Sequence, residues 1–285
     1  MTIRINVAKS AGFCFGVKRA LTIALDTAKK SSDVVMLGDV VHNEDVVREV
    51  LGSGIKKIKS LSKSSDKTLL IRAHGAASNT YRKAKSRGFA IVDATCPMVT
   101  EIHEIAKKCE ANGYQVIVIG DKKHDEVLGI VGQLKKKALV IDGIKTIDPA
   151  QLKKYKKAAV VVQSTQNLQK TQKIVDKLSK HIKDLIFHNT ICRPTQTKQE
   201  EIQKMPLKND LMVIIGSKTS ANTKRLYELS KSLNKKTFWI QSQQNLKLSW
   251  FKSVKSVGIT AGASTPDKTT KSVVSQIKKL IKQVS

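Results

Sequence analysis

The stretch that decides the fold is "FAIVDATCPMVTEIHEIAKKCEANGYQVIVIGDKKHDE", residues 89–126. An apolar run typical of a strand ends near Cys96, a segment with apolar residues at helical spacing follows, and a second apolar run ends at Gly120. Two strands joined by a helix in this way predict a βαβ unit with parallel strands. Polar side chains follow both strands, Cys96 after the first and His124 and Glu126 after the second. Because ligands of parallel sheets bind at the carboxyl ends of the strands, these residues are candidates for a site.

The same pattern occurs three times along the chain. Each repeat has a cysteine after its first apolar run, a polar residue four positions after the glycine that ends the second run, and hydroxyl or imidazole groups after the third run. The cysteines are Cys14, Cys96 and Cys192, and 28 residues after each (14 to 42, 96 to 124 and 192 to 220) stand His42, His124 and Ser220. Two positions further on are Glu44, Glu126 and Asn222, and the third runs end at His74, at Ser164 with Thr165, and at Ser264.

A period of about 90 residues is too long for a solenoid repeat and suits small domains with one core each. The sequence therefore predicts an α/β protein with three similar small domains, each with a parallel sheet, in a pseudo-threefold arrangement around a central site. The predicted domains are residues 14–95, 96–191 and 192–285, with residues 1–13 adding a strand to the third.

Composition limits the classes of partner. No apolar run is long enough to cross a bilayer, the opening residues have the pattern of a strand, and the cysteines are widely spaced, so we expect a cytoplasmic protein in a reducing compartment with no membrane partner. The net charge of +29 raises nucleic acid as a partner, but the lysines are dispersed and only 4% of residues are aromatic. We therefore expect a basic, solvated surface without a functional nucleic-acid site.

One cysteine from each of three equivalent domains can meet at a common point. Three thiolates can hold three irons of a cubane iron–sulfur cluster, which leaves the fourth iron open to act as a Lewis acid while the cluster supplies electrons. Two alternatives remain at this point: a zinc site with three cysteines, although no closely spaced CxxC pair exists, and buried cysteines at helix starts. Cys109 lies on an apolar helix face and is predicted to be a core thiol, and His103, His181 and His188 match no repeat position.

Motifs along the whole chain resemble the 4-hydroxy-3-methylbut-2-enyl diphosphate reductase family, also called LytB. They occur in the family's order and are "GFCFGVKRA", "VVHN", "AHG", "DATCP", "HDEVLG", "QSTQN", "GSKTSANTKRL" and "TAGASTPD". The resemblance implies an oxidoreductase of the non-mevalonate pathway of isoprenoid biosynthesis. Such an enzyme removes the substrate hydroxyl reductively to give isopentenyl and dimethylallyl diphosphates, with one 4Fe–4S cluster and reduced ferredoxin or flavodoxin as electron donor.

The resemblance also implies roles for individual residues. Cys14, Cys96 and Cys192 correspond to the cluster ligands, and Glu126 resembles the proton donor. The implied substrate-binding residues are His42, His74, His124, Ser164, Thr165, Thr195, Ser220, Ala221, Asn222 and Ser264. Imidazole, amide and hydroxyl donors suit a multiply charged anion. Where the family has a second serine this chain has Ala221, which can contribute only its backbone, and the choice between Ser164 and Thr165 stays open.

Two rival functions belong to other classes. Quinolinate synthases and the diphthamide-forming radical enzymes also gather one cysteine from each of three related domains, and a basic nucleic-acid-binding iron–sulfur protein would need no substrate site. The hypothesis of a nucleic-acid-binding protein predicts clustered positive charge and a steep salt dependence of binding. This hypothesis leaves Glu126 and the three histidines unexplained.

Overall fold

The computed structural model describes residues 3–62 and 66–284. Residues 1–2, 63–65 and 285, which fall within the predicted domains, lie outside the described part. Helices alternate with parallel strands throughout the described chain, and the strands form three four-stranded sheets. The predicted α/β class with three parallel sheets is therefore confirmed.

Strands and helices are numbered in chain order. The strands are β1 (Arg4–Val7), β2 (Val34–Leu37), β3 (Lys56–Ile58), β4 (Thr68–Ile71), β5 (Ala90–Asp93), β6 (Gln115–Ile119), β7 (Leu139–Ile141), β8 (Lys157–Val162), β9 (Asp184–Phe187), β10 (Leu211–Ile215), β11 (Thr237–Ile240) and β12 (Ser256–Ala261). The helices are α1 (Phe15–Lys30), α2 (Glu44–Gly52), α3 (Ser78–Ser86), α4 (Pro97–Ala111), α5 (Asp125–Val131), α6 (Pro149–Leu152), α7 (Leu168–Ser179), α8 (Arg193–Lys204), α9 (Ala221–Leu233) and α10 (Asp267–Val284). Short 3₁₀ helices span Ile144–Thr146, Met205–Leu207, Gln243–Asn245 and Leu248–Phe251.

The three sheets have the same strand order. The first is β3-β2-β4-β5, the second is β7-β6-β8-β9, and the third is β11-β10-β12-β1. In the third sheet β1 takes the edge position that β5 and β9 take in the others, and it pairs in parallel with β12 from Arg4 opposite Ser256 to Val7 opposite Ile259. Each of the three cysteines in the repeat pattern therefore follows the edge strand of a sheet.

The central strands are buried on both faces. In β6, Ile117 and Ile119 belong to one apolar cluster, while Val116 and Val118 belong to a second cluster on the opposite face. All five residues of β10 are buried as well. Helices cover both faces of such parallel sheets, which is why these strands appear in the sequence as continuous Val- and Ile-rich runs. The arrangement leaves the strand ends as the places where polar side chains can lie.

The chain forms two compact units. One contains residues 1–17, 42–46 and 193–285 and holds the third sheet, and the other contains residues 18–41 and 47–192 and holds the first and second sheets. The division into three domains at residues 14, 96 and 192 stays a prediction. No helix in the described ranges is both long and apolar enough to cross a membrane.

Candidate functional site

The three cysteines of the repeat pattern have equivalent backbone positions. Each is half-buried, is not part of a disulfide, and directly precedes a helix. The backbone N–H of each cysteine donates to a carbonyl in the loop after a neighbouring strand. These pairs are Cys14 with Ala263 (3.0 Å), Cys96 with Ala73 (2.9 Å) and Cys192 with Ser164 (3.0 Å). The positive end of a helix dipole favours a negatively charged sulfur, so all three positions suit thiolate ligands.

The fourth cysteine lies elsewhere in the fold. Cys109 is buried on α4 among apolar side chains, and its Sγ lies 3.4 Å from Nε2 of His188. Burial raises the pKa of the Cys109 thiol, which favours the neutral form. This position agrees with the predicted core thiol.

Two of the predicted anion-binding residues cap helices. Nδ1 of His124 accepts from the N–H of Glu126 (3.1 Å), and Oγ of Ser220 accepts from the N–H of Thr223 (3.3 Å). Because Nδ1 of His124 is an acceptor, the ring proton lies on Nε2, which is therefore the donor. A helix start combines such donors with its own N–H groups, which is a favourable environment for an anion.

The first repeat differs at this position. Asn43, not His42, caps α2: its Oδ1 accepts from the N–H of Asp45 (3.0 Å) and from that of Val46 (3.2 Å). The backbone carbonyl of His42 accepts instead from the hydroxyl of Ser264 (2.9 Å). His42 therefore has a different local role from His124, although the two residues have the same spacing from their cysteines.

His74 and His124 lie next to each other. Their ring centroids are 5.4 Å apart and the rings are nearly perpendicular, at 84°. Gly75, with φ +72°, turns the chain after His74, and a Cβ there would lie 2.8 Å from Cε1 of His103. His74 and His124, which were predicted separately as site residues from two repeats, are therefore in contact, and the turn after His74 requires glycine.

His103 packs against this turn from inside the protein. It is 6% exposed, and within the described ranges its buried Nε2 has no hydrogen-bond partner. Burial, followed by the charge of Lys107, lowers the pKa of His103 to about 4, so the ring is neutral at ordinary pH. A neutral histidine packed under the turn has a structural role, as expected for a histidine that matches no repeat position.

Glu126 is fully enclosed and pairs with Ser164. It is 1% exposed, and its carboxylate accepts from the N–H of Ser164 (2.5 Å) and from its hydroxyl (2.8 Å). A buried carboxyl group with both oxygens hydrogen-bonded is held in one orientation. Glu126 is thus a buried carboxyl group with a fixed orientation at the start of α5.

Asn222 is the counterpart of Glu126 in the third repeat. Its Oδ1 accepts from the N–H of Ala263 (3.0 Å), as the Glu126 carboxylate accepts from the N–H of Ser164. Nδ2 of Asn222 is buried and has no hydrogen-bond partner in the part of the chain that the structure describes. A buried amide donor without an acceptor is costly, and Nδ2 of Asn222 could donate to the oxygen of a ligand.

Glu44, the counterpart in the first repeat, is bound differently. Its carboxylate accepts from the hydroxyl of Ser217 (2.8 Å) and from Nε2 of Gln241 (3.4 Å), and the residue is exposed. It therefore lacks the enclosed environment of Glu126 and Asn222.

The backbone hydrogen bonds of the cysteines also distinguish Ser164 from Thr165. His74, Thr165 and Ser264 each directly follow a residue whose carbonyl accepts from a cysteine N–H. Thr165 is half-exposed, whereas Ser164 is buried and paired with Glu126. Thr165 is thus the topological equivalent of His74 and Ser264, and Ser164 belongs with Glu126.

The remaining predicted residues lie at helix starts. Thr195 is buried in the first turn of α8, three residues after Cys192, and Ala221 is the first residue of α9. Arg19 is a further residue near the cysteines and was not among the predicted site residues. Its Nη1 donates to the carbonyl of Thr95 (3.0 Å), the residue before Cys96. A signal for Arg19 in the sequence is its place in the motif "GFCFGVKRA", five residues after Cys14.

These features define a class: an α/β protein with three topologically equivalent sheets, a cysteine outside any disulfide after the edge strand of each, and polar side chains at the helix starts. Comparison with known proteins agrees with this class. The model of the LytB protein family matches residues 5–278, and the chain belongs to that family. The resemblance noted in the sequence is confirmed, and the family membership leaves the rival families without support.

Relatives and solved structures match over nearly the whole chain. A relative from Clostridioides difficile (strain 630) named 4-hydroxy-3-methylbut-2-enyl diphosphate reductase is 37% identical, covering 98% of this chain and 100% of its own length. A solved structure described as that reductase, the terminal enzyme of the non-mevalonate pathway, matches with a TM-score of 0.72 and 36% identity over 98% of this chain and 100% of its own. The structure of an E-1-hydroxy-2-methyl-but-2-enyl-4-diphosphate reductase from Plasmodium falciparum matches with a TM-score of 0.87 and 27% identity over 96% and 88%.

Proposed function

We propose that this protein is a 4-hydroxy-3-methylbut-2-enyl diphosphate reductase of isoprenoid biosynthesis. It replaces the substrate's hydroxyl group with hydrogen, using two electrons and two protons and releasing one water, to give isopentenyl diphosphate or dimethylallyl diphosphate. The observation that carries the proposal is the equivalence of Cys14, Cys96 and Cys192, whose N–H groups make matching hydrogen bonds after three matching strands.

The proposed cofactor is one 4Fe–4S cluster held by these three cysteines. The donor set fits, because all three are half-buried cysteines outside any disulfide and directly before helices, and no structural core requires that arrangement at three equivalent places. When bound, the cluster supplies electrons, and the fourth iron, without a protein ligand, supplies a Lewis acid for the substrate's hydroxyl oxygen.

The proposed diphosphate site uses donors from all three repeats. His42, His74, His124, Thr165 and Ser220 would donate side-chain hydrogen bonds. Ser264 would donate as well if its hydroxyl turned from the carbonyl of His42 to the ligand, and Thr195 would add a hydroxyl near the third cysteine. The support is strongest for Asn222, whose buried Nδ2 lacks an acceptor in the described structure while its Oδ1 is already engaged. Ala221 would contribute its backbone N–H at the start of α9, where the helix dipole favours an anion.

Glu126 is the proposed proton source. Its carboxyl is buried and oriented by two hydrogen bonds from Ser164, so it can hold a proton at a defined place. The carboxylic acid would deliver that proton to the departing hydroxyl so that it leaves as water. Ser164 then contributes by orienting Glu126, in addition to any contact with the substrate.

The remaining proposals concern the electron donor, the cellular location and the positive charge of the protein. The proposed electron donor is reduced ferredoxin or flavodoxin, because each transfers single electrons at low potential. The proposed location is the cytoplasm, and the excess of basic residues is assigned to a solvated surface without a functional nucleic-acid partner.

One experiment tests the function as a whole. Protein purified without oxygen is analysed for iron and sulfide and then assayed for consumption of 4-hydroxy-3-methylbut-2-enyl diphosphate under a strong reductant. We expect about four irons and four sulfides per chain, as a cubane cluster requires, together with conversion to the two diphosphate products. Cluster-loaded protein that leaves the substrate unchanged would refute the proposal.

A further inference from the structure

We propose that Lys198 is a positioning residue that holds the segment leading to Cys14. Lys198 lies on α8, six residues after Cys192 (192 to 198), and is 2% exposed. Its ammonium group donates to the backbone carbonyls of Ser10, Gly12 (3.0 Å) and Ala261 (3.1 Å). Two of these carbonyls lie just before Cys14, and the third ends β12.

A buried ammonium is unfavourable unless its donors are satisfied. Lysine has three N–H donors, and here three carbonyl oxygens receive them. Charge-assisted hydrogen bonds are about twice as strong as neutral ones. The ammonium therefore ties three backbone points together, and each can move only by leaving part of a buried charge unsatisfied.

Glu201 acts on the same segment from one turn further along α8. Its carboxylate accepts from the N–H of Ser10 (3.2 and 3.3 Å to the two oxygens) and from the Ser10 hydroxyl. Ser10 is thus held at its carbonyl by Lys198 and at its N–H by Glu201. A cation and an anion on one helix thus hold both backbone polar groups of one residue.

The chain has little other freedom between this anchor and Cys14. Gly12 has φ +101°, and a Cβ there would lie 2.6 Å from Oδ1 of Asp267. The N–H of Cys14 itself donates to the carbonyl of Ala263 (3.0 Å). With the segment held at Ser10, Gly12 and Cys14, Lys198 determines how the backbone approaches the thiol.

The inference rests on the proposed role of Cys14 as a cluster ligand, but its test does not. In protein freed of metal, the alkylation rates of Cys14, Cys96 and Cys192 by iodoacetamide are followed by peptide mass spectrometry. Lys198→Met keeps the length of the side chain and removes the charge and the donors. Lys204→Met on the same helix is the matched control, because Lys204 is exposed.

We expect Lys198→Met to raise the alkylation rate of Cys14 by roughly tenfold, as when a buried hydrogen-bonded anchor is lost, and to leave the rates of Cys96 and Cys192 unchanged. Lys204→Met should match the unmodified chain at all three thiols. Equal acceleration of all three cysteines would show a general loss of stability and overturn the proposal, as would an unchanged Cys14 rate.

Two further variants keep the test decisive. If Lys198→Met does not fold, Glu201→Gln, which has one acceptor oxygen instead of two at a half-buried position, should give a smaller increase confined to Cys14. Lys198→Arg keeps the charge with a longer, planar donor group and should raise the Cys14 rate by less than methionine does. Retention of the iron–sulfur chromophore in Cys14→Ser would count against the cluster assignment alone, while a selective Cys14 response would still support the anchor.

Discussion

The carboxylate of Glu126 accepts from both the N–H and the hydroxyl of Ser164, at 2.5 and 2.8 Å. The carbonyl of Ser164 in turn accepts from the N–H of Cys192 (3.0 Å). One residue thus connects the proposed proton source to a proposed cluster ligand. In the third repeat, Ala263 connects Asn222 to Cys14 through the same two backbone groups.

Replacement of Glu126 by glutamine tests the proton source. Glutamine keeps one oxygen for the N–H of Ser164, and its NH₂ can donate to the Ser164 hydroxyl, but it cannot supply an acidic proton. We expect a full cluster, unchanged substrate binding and turnover lower by roughly 10²–10⁴-fold, the usual contribution of general acid catalysis. Single-turnover rates on anaerobic protein measure the effect. Glu44→Gln, at the exposed counterpart, is the control and should keep near-normal turnover.

Separate substitutions at positions 164 and 165 should give different kinetic effects. Ser164→Ala removes the hydroxyl that orients Glu126, so we expect a lower kcat with little change in KM. Thr165→Val keeps the shape and removes the hydroxyl at the position equivalent to His74 and Ser264, so KM should rise by about fivefold to 100-fold, the cost of a lost charge-assisted hydrogen bond. The reverse pattern in steady-state kinetics would contradict the assignment.

Single serine substitutions should separate the cysteines into two groups. Cys14→Ser, Cys96→Ser and Cys192→Ser should each abolish the brown iron–sulfur chromophore and activity. Cys109→Ser should keep both, with at most about 1–2 kcal/mol lost in the free energy of unfolding from placing a hydroxyl in an apolar cluster. Visible absorption and iron content measure whether each variant holds the cluster. Loss of the chromophore in Cys109→Ser alone would show that the ligands are assigned wrongly.

Inorganic pyrophosphate should compete with the substrate, because the proposed site recognises the diphosphate group. Asn222→Ala removes the buried donor and also the acceptor for the N–H of Ala263, so both pyrophosphate and substrate should bind more weakly by about 1–3 kcal/mol. Asn222→Asp keeps the acceptor and replaces the donor with a negative charge, so it should weaken anion binding further. Inhibition constants measure these effects, and a lack of inhibition by pyrophosphate at any concentration would count against the site.

His103 should make stability depend on pH in a defined window. Its pKa falls from 6.5 to about 4 on folding, so the native state favours the neutral ring. Titration of His103 therefore does not affect stability above pH 6.5, where the ring is neutral in both states. As the pH falls from 6.5 towards 4, only the unfolded chain binds the proton, and the free energy of unfolding decreases by about 3 kcal/mol at 1.36 kcal/mol per pKa unit. Urea unfolding of metal-free protein at several pH values measures it. His103→Gln should remove this part of the pH dependence, and an identical slope in both proteins would contradict it.

The sequence by itself determined the repeat and the chemistry it carries. Buried parallel strands produce continuous apolar runs, and the turns after them carry Cys14, Cys96 and Cys192 at equal distances from His42, His124 and Ser220. Both features are local and periodic, so a single chain shows them. The resemblance of the motifs then identified the family.

Only the tertiary structure decided which polar groups pair. His42 and His124 have the same spacing, yet Asn43 caps α2 in the first repeat and Glu44 turns to Ser217 and Gln241, about 170 and 200 positions away in the chain. The hydrogen bonds from Lys198 to Ser10 and Gly12 likewise join residues that are far apart in the sequence. Such contacts depend on how the strands and helices pack, since a buried polar group takes whichever partner the packing brings within reach, and no local period encodes that choice.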